Sequence, residues 1–398
     1  MSLSILFFEI RSGSMLRFPL WLAESITELD ADIDYKFLSN HGVTAADKAV
    51  LRSKLTTVEV IGSHMRSFSI RSVRKVLSEE KPSLVVVFAH RLPDIIVLHA
   101  ARQLGIKTLY YQHGLYIPFM KRVPTLFFTN IIKTLRYLKY SVDLSLLSRS
   151  PLRDLKSFIQ IFVTGRKSIA TSHQAASALA DLCLVYGEHW QHYHCAEYGY
   201  DLDQTIVVGA PDLSGINLLN DEQINPEGNG LLCYVAQTLY EDGRIERHVI
   251  RNFIEALGAA AMQANATLVV KLHPRSDVSL YKGVCGVSGL ETVFPSAEVY
   301  IGHYSSMLIR GIMHSSKFLI VELPGHEPPQ YFKILSESWV KGDALSVDVL
   351  YNRIHDLLQD VHDHKDWALQ KRQLDQYFSG NGESAFSRAA KVIAGALS

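Results

Sequence analysis

A chain of 398 residues is longer than one ordinary hydrophobic core supports, so two domains are expected. Its 47% hydrophobic and 20% charged content suits a globular protein and excludes a disordered one, while 40 basic against 40 acidic residues exclude a global attraction to nucleic acid. The four cysteines, Cys183, Cys195, Cys233 and Cys285, are irregularly spaced and form neither a disulfide framework nor a Cys-x-x-Cys site, which fits a reducing cytosol.

The chain opens on Leu3-Ser-Ile-Leu-Phe-Phe-Glu-Ile10, broken by Glu9 and Arg11 too early for a secretory apolar region, and reads as a buried first strand. Further strands are expected near 34–39, 58–62, 83–90, 107–112, 182–186 and 205–209. In the second half they are expected near 231–236, 267–272, 290–294, 298–302 and 317–323. Longer helical patterns lie between them, as in Ile245, Val249, Phe253, Ile254, Leu257 and Ala261. Such alternation predicts parallel sheets covered on both faces. The turn-rich segment 218–230 is the expected linker, dividing an N-terminal acceptor-side domain (1–217, with an insertion at 116–170) from a C-terminal nucleotide-sugar-binding domain (231–398). The expected fold class is therefore α/β, two doubly wound Rossmann-type domains facing a cleft, with ligands at the carboxyl ends of the strands.

One segment departs from this rhythm. From Lys121 to Lys167 there are ten basic residues and only two acidic ones, Asp143 and Asp154, interleaved with Phe127, Phe128, Ile131, Ile132, Phe158 and Phe162. That is the composition of amphipathic helices on an anionic membrane surface. The competing reading is an insertion packed on its own domain with a solvated basic face. No window reaches the roughly 18 uninterrupted apolar residues of a membrane span.

Three short motifs in the second half carry chemistry. Glu241-Asp242-Gly243 follows a strand and precedes a helix, so Asp242 is a candidate general base for a sugar hydroxyl. Glu241 beside it would raise its proton affinity, and Gly243 would let the chain turn. The ordinary structural reading is capping of the next helix. Lys271-Leu272-His273-Pro274-Arg275 ends a strand, where His273 can give a proton or hydrogen bond to a leaving phosphate and Lys271 and Arg275 add charge. Ser305 and Ser306 open a helix expected at Met307–His314, where hydroxyls and backbone N–H groups bind phosphate. Glu322, ending another strand, could accept from a ribose hydroxyl.

In this order the motifs resemble those of bacterial sialyltransferases of glycosyltransferase-B (GT-B) architecture, most closely the lipooligosaccharide sialyltransferase family over residues 231–325, with similar marks in polysialyltransferases. The resemblance implies an inverting, metal-independent transfer of sialic acid or a related nonulosonic acid from a CMP-activated donor to a surface glycan. By it, Asp242 is the base, His273 the acid facing the CMP phosphate, and Ser305 and Ser306 the phosphate ligands. No cofactor is expected, and the cysteine usage with the basic apolar segment makes the expected location cytoplasmic, peripheral on the inner face of the bacterial cytoplasmic membrane.

In the first domain, Tyr110-Tyr-Gln-His113-Gly114 ends a strand, where His113 and Gly114 could face the cleft from the acceptor side; the competing reading is structural burial of His113. A similar His-Gly occurs in wall teichoic acid glycerophosphotransferases. This keeps open a Kdo or glycerophosphate transferase using CMP-Kdo or CDP-glycerol. A UDP-sugar epimerase of the same fold and a non-catalytic polysaccharide-assembly protein stay open as well. Glu188, His192 and Cys195 share a helix face but lack a distant fourth ligand, so a polar helix is preferred to a metal site.

Overall fold

The computed structural model describes residues 3–10, 12–30, 32–40, 43–61, 68–115, 131–146, 151–152, 155–156, 159, 179–211, 230–315, 317–324, 326, 332, 338–342, 345–359, 367–379 and 383–397. The expected linker, apart from Gly230, and most of the basic apolar segment lie outside these residues, and the expectation of membrane contact lies there with them. Among the described residues no helix is long and apolar enough to cross a membrane.

The chain forms two compact units. The first, Met1–His113 with Asn130–Gly215 and Tyr377–Ser398, is built on a seven-stranded parallel sheet in the order β3-β2-β1-β4-β5-β6-β7. Its strands are β1 Leu3–Glu9, β2 Ile33–Ser39, β3 Val58–Ile61, β4 Leu84–Val87, β5 Lys107–Tyr111, β6 Leu182–Val185 and β7 Thr205–Val207. Leu-Val-Val-Val of β4 is buried at every position, as a strand covered on both faces must be. The direction of winding reverses between β1 and β4, so the carboxyl ends of these two strands form the topological switch point.

The second unit, Gly114–Thr129 with Ile216–Gln376, carries a six-stranded parallel sheet in the order β10-β9-β8-β11-β12-β13. Its strands are β8 Leu231–Val235, β9 Thr267–Lys271, β10 Val287–Glu291, β11 Val299–Gly302, β12 Lys317–Val321 and β13 Trp339–Val340. The switch point lies between β8 and β11. The helix Arg247–Gln263 covers this sheet with Ile250, Phe253, Ile254, Leu257 and Ala261, a stripe at helical spacing. Each large side chain in that stripe stabilises the fold by about 1.5–3 kcal/mol. Gly258 lets the helix backbone meet the chain at Cys285, since a Cβ there would clash with the Cys285 carbonyl oxygen.

Three elements differ from the sequence expectation. The strand expected at 290–294 is Val287–Glu291, with a register irregularity between Val287 and Gly289. The two-residue strand β13 carries no periodicity of its own and exists only through pairing with β12. The last helix, Ala385–Leu397, falls in the range expected for the second domain yet packs on the first unit. Its Phe386 ring contacts Phe18, Trp21 and Tyr111, with centroids 5.7, 6.0 and 6.0 Å away. Arg388 ties it down, donating from Nε to the Val208 carbonyl at 2.6 Å and from Nη2 to the Ser379 carbonyl at 3.0 Å.

The first core holds two buried histidines. His90 stacks on Tyr110 at 3.9 Å and on Tyr198 at 4.5 Å, with Nε2 3.0 Å from the Tyr200 hydroxyl. His194 Nδ1 lies 2.7 Å from the Trp190 carbonyl and so carries the proton. Burial lowers both pKa values, that of His194 to about 4 despite its backbone bond, and the nearby His194 lowers that of His90 further. A histidine depressed from 6.5 when folded destabilises the fold as pH falls below 6.5, until the folded form also protonates. The expected result is a melting temperature nearly constant from about pH 6.5 to 8 that drops steeply toward pH 4, as the unfolding free energy falls by up to about 1.4 kcal/mol per pH unit per histidine. Replacing His194 by Gln should flatten the acid limb; an unchanged limb would remove this histidine as its cause.

Candidate active site

The second unit gathers its polar side chains at the carboxyl edge of the sheet. The loop after β8 runs from Ala236 to Glu246 before the helix begins at Arg247. Asp242 is therefore not a helix cap, since the N-cap position is Glu246, which makes no side-chain capping bond. The loop is instead a compact turn of its own. Asp242 N–H donates to the Thr238 carbonyl (3.0 Å), and the N–H groups of Gly243 and Arg244 donate to the carbonyls of Tyr240 and Leu239 (both 2.8 Å). Gly243, at φ +70°, supplies the left-handed step that closes this turn.

Asp242 is gripped from two sides. Arg275 donates from Nη1 to Oδ1 at 2.8 Å and from Nη2 to Oδ2 at 3.3 Å, and the Thr238 hydroxyl donates to Oδ2 at 3.0 Å. Arg275 Nη2 also reaches the Thr238 hydroxyl oxygen at 3.0 Å. Partial burial pushes the Asp242 carboxyl up. Arg275, Thr238 and the charge of Arg244 outweigh it and hold the carboxyl below its ordinary value. The expectation that Glu241 raises the proton affinity of Asp242 is thus reversed. Glu241 turns away: its Oε1 accepts the Asp277 N–H at 2.6 Å and its Oε2 is buried, tying the loop after β8 to the loop after β9.

The loop after β9 presents His273, Pro274 and Arg275. His273 Nδ1 accepts the Arg275 N–H at 3.1 Å, and the His273 N–H donates to the Ser276 hydroxyl at 3.0 Å. With Nδ1 accepting, the neutral ring carries its proton on Nε2, a tautomer assigned from this hydrogen bond. Lys271 ends β9. It is 8% exposed, and its ammonium donates to the Leu272 carbonyl at 2.6 Å.

Ser305 and Ser306 follow β11. The Ser305 hydroxyl accepts the Met307 N–H at 3.3 Å. The helix expected at Met307–His314 is divided into a short α-helical turn, Ser306–Ile309, and a tighter 3-10 turn, Arg310–Met313. Gly311 lies there against the Tyr300 ring, where a Cβ would come within 2.8 Å. His303, just before the serines, is a core residue: Nδ1 donates to the Val321 carbonyl at 2.7 Å and Nε2 accepts from the Tyr234 hydroxyl at 3.0 Å. Burial holds it neutral, at about 4, despite the carbonyl partner. Glu322, at the end of β12, accepts from Trp339 Nε1 at 3.4 Å.

Sequence reasoning missed three members of this edge. Thr238 braces Asp242; Arg244 hydrogen-bonds the buried Tyr304 hydroxyl and acts on both Asp242 and His326; and the Tyr304 N–H donates to the Gln237 side chain at 3.4 Å. An unbroken chain of contacts thus runs from His273 through Arg275, Asp242 and the loop after β8 to Tyr304, next to the serines. The sequence signal was an arginine directly after the turn glycine.

The first unit has a second charged cluster at its own switch point. Arg91 donates to Asp94 at 2.7 and 3.0 Å and to Glu9 at 3.2 Å. Burial lifts the Asp94 carboxyl to about 6, against the opposing pull of Arg91. His113, after β5, packs edge-on against Phe18 with ring centroids 4.3 Å apart. Crowding by neighbouring atoms and the cations Arg91 and Arg17 push its pKa down. Its exposed surface limits the dehydration part of that shift, so the direction rests on the two arginines. Gly114 follows at φ +77°. In the Glu188–Tyr198 helix, His192 Nδ1 lies 2.8 Å from the Glu188 carbonyl and Cys195 Sγ 3.8 Å from the Thr205 hydroxyl.

No protein-family model matches the chain, and no curated protein matches it. Solved structures do. The chain is similar to CalG4, the calicheamicin glycosyltransferase, with TM-score 0.57 and 14% identity over 100% of this chain and 98% of that one. It is similar to MurG of Acinetobacter baumannii, with TM-score 0.52 and 11% identity over 99% of each chain. The UDP-GlcNAc 2-epimerase of Methanocaldococcus jannaschii gives 0.52 and 15%, again over 99% of each chain. Together with two parallel sheets of seven and six strands, these likenesses establish the fold: the chain has the GT-B architecture.

Proposed function

We propose that this protein is an inverting glycosyltransferase that moves sialic acid or a related nonulosonic acid from a CMP-activated donor to a surface glycan. The observation that carries the reading is the network at the carboxyl edge of the second sheet. There hydrogen bonds join His273, Arg275 and Asp242, Arg244 reaches Tyr304, and Ser305 and Ser306 follow Tyr304 directly, at loops that leave the strands beside the switch point, where ligands bind in such sheets. Glu241, Lys271 and Glu322 support the loops, and Pro274 shapes the turn.

In this reading Asp242 takes the proton from the acceptor hydroxyl. The oxygen so exposed attacks the anomeric carbon as the bond to the phosphate oxygen breaks, and CMP leaves with the electron pair. His273 hydrogen-bonds the leaving phosphate through Nε2–H. Arg244, Ser305 and Ser306 hold its charge. His113 and Gly114, at the edge of the first sheet, are assigned to the acceptor.

Calorimetry with CMP, CDP and UDP, followed by a donor-hydrolysis screen, tests the donor class. Tight CMP binding with consumption of a CMP-nonulosonate is expected. Preference for UDP with interconversion of UDP-GlcNAc would overturn it in favour of an epimerase, an activity found on the same fold in the Methanocaldococcus jannaschii neighbour. Replacing Ser305 and Ser306 together by Ala is expected to weaken CMP binding by roughly 1–3 kcal/mol. Unchanged CMP affinity would remove the serines from the phosphate site.

A further inference from the structure

Arg275 and Asp242 join two loops through a pair in which both partners meet solvent, with side chains 44% and 31% exposed. A carboxylate held by both guanidinium nitrogens and a threonine hydroxyl is stabilised in its charged form and is a reluctant proton acceptor. The other groups facing the pair are Arg244, on the same loop as Asp242, the Tyr304 hydroxyl from the turn after β11, and Glu241, whose charge acts on Arg275. Arg275 is anchored by its backbone N–H on His273 Nδ1, which leaves the guanidinium able to change partner without moving the loop. Exposed ion pairs are weak, and a phosphate offers a guanidinium more charge in an equally suited bidentate geometry.

We propose that Arg275 is a positioning residue that exchanges partners, leaving Asp242 for the phosphate of an arriving sugar nucleotide and so freeing the carboxylate to act as the base. The proposal rests on the donor reading above. The exchange breaks and makes only hydrogen bonds; the proton moves later, from acceptor to Asp242. It also explains how a carboxylate tied to a cation serves as a base: the tie is present only while no phosphate competes for it.

The test follows Asp242 itself. The full chain is labelled with aspartate carrying 13C at the side-chain carboxyl, and the Asp242 resonance is assigned by its loss in Asp242→Asn. It is then titrated with pH, alone and saturated with CMP or UDP, whichever calorimetry shows to bind. The expected result is a rise in the Asp242 pKa of about one unit or more on nucleotide binding. Arg275→Gln should show the raised value without nucleotide and little further change, while Arg275→Lys should recover part of the nucleotide-dependent rise. Melting curves check that both variants fold. Nucleotide binding that leaves the Asp242 pKa unmoved, or Arg275→Gln keeping the whole rise, overturns the exchange alone. Binding of neither nucleotide overturns it together with the donor reading.

Discussion

Deleting residues 377–398 is expected to unfold the first unit while the second keeps its structure. The terminal helix buries Ala385, Phe386, Ala389, Ala390 and Ile393, and its removal also exposes Phe18 and Tyr111 beneath Phe386. Phe386→Ala together with Ile393→Ala should already cost about 5–8 kcal/mol, within the range of a domain's whole stability. Deletion adds the loss of Arg388, which holds two backbone carbonyls in this unit. The expected measurement is a thermal or denaturant transition in which one of two phases disappears, with proteolysis confined to residues of the first unit. Two undiminished transitions in the truncated protein would show that the helix is not part of the first core.

Asp242→Asn is expected to lower turnover by about 10²-fold or more, as loss of a general base does, with melting temperature and CMP affinity nearly unchanged. The separation of effects follows from the geometry. The Asn oxygen still accepts from Thr238, and the lost Arg275 pair is partly exposed, so its contribution to stability is at most about 1 kcal/mol. Removing a negative charge beside the proposed phosphate site should, if anything, tighten CMP binding. Turnover near the wild-type rate in this variant would remove Asp242 from the chemistry, whatever the donor proves to be.

Phe386 and Asp242 differ in how they could be read from the chain. Asp242 was legible as a chemical candidate because an acidic pair before glycine falls between a strand and a helix, followed by His273-Pro274 and the serines in order. Its state was not legible. Sequence proximity suggested that Glu241 would raise its proton affinity, but Glu241 turns to the Asp277 N–H while Arg275, thirty-three residues away, takes the carboxylate. Likewise Lys271, adjacent to the site in sequence, donates to the Leu272 carbonyl, whereas Arg244, marked in the sequence only by its place after the turn glycine, acts on Asp242, Tyr304 and His326.

Phe386 was unreadable for a different reason. Its helix has the apolar face that any covering helix has, and nothing local says which sheet that face will cover.

The alternation of buried strands and amphipathic helices, and with it two parallel α/β sheets, was already written in the chain. Those features follow from side-chain periodicity and local turn residues, which act over a few positions. That the last helix completes the first unit, that a two-residue strand ends the second sheet and that Asp242 pairs with Arg275 emerge only in the folded chain. Each depends on contacts between residues far apart in the chain, where packing and charge pairing select among partners that local pattern leaves equivalent.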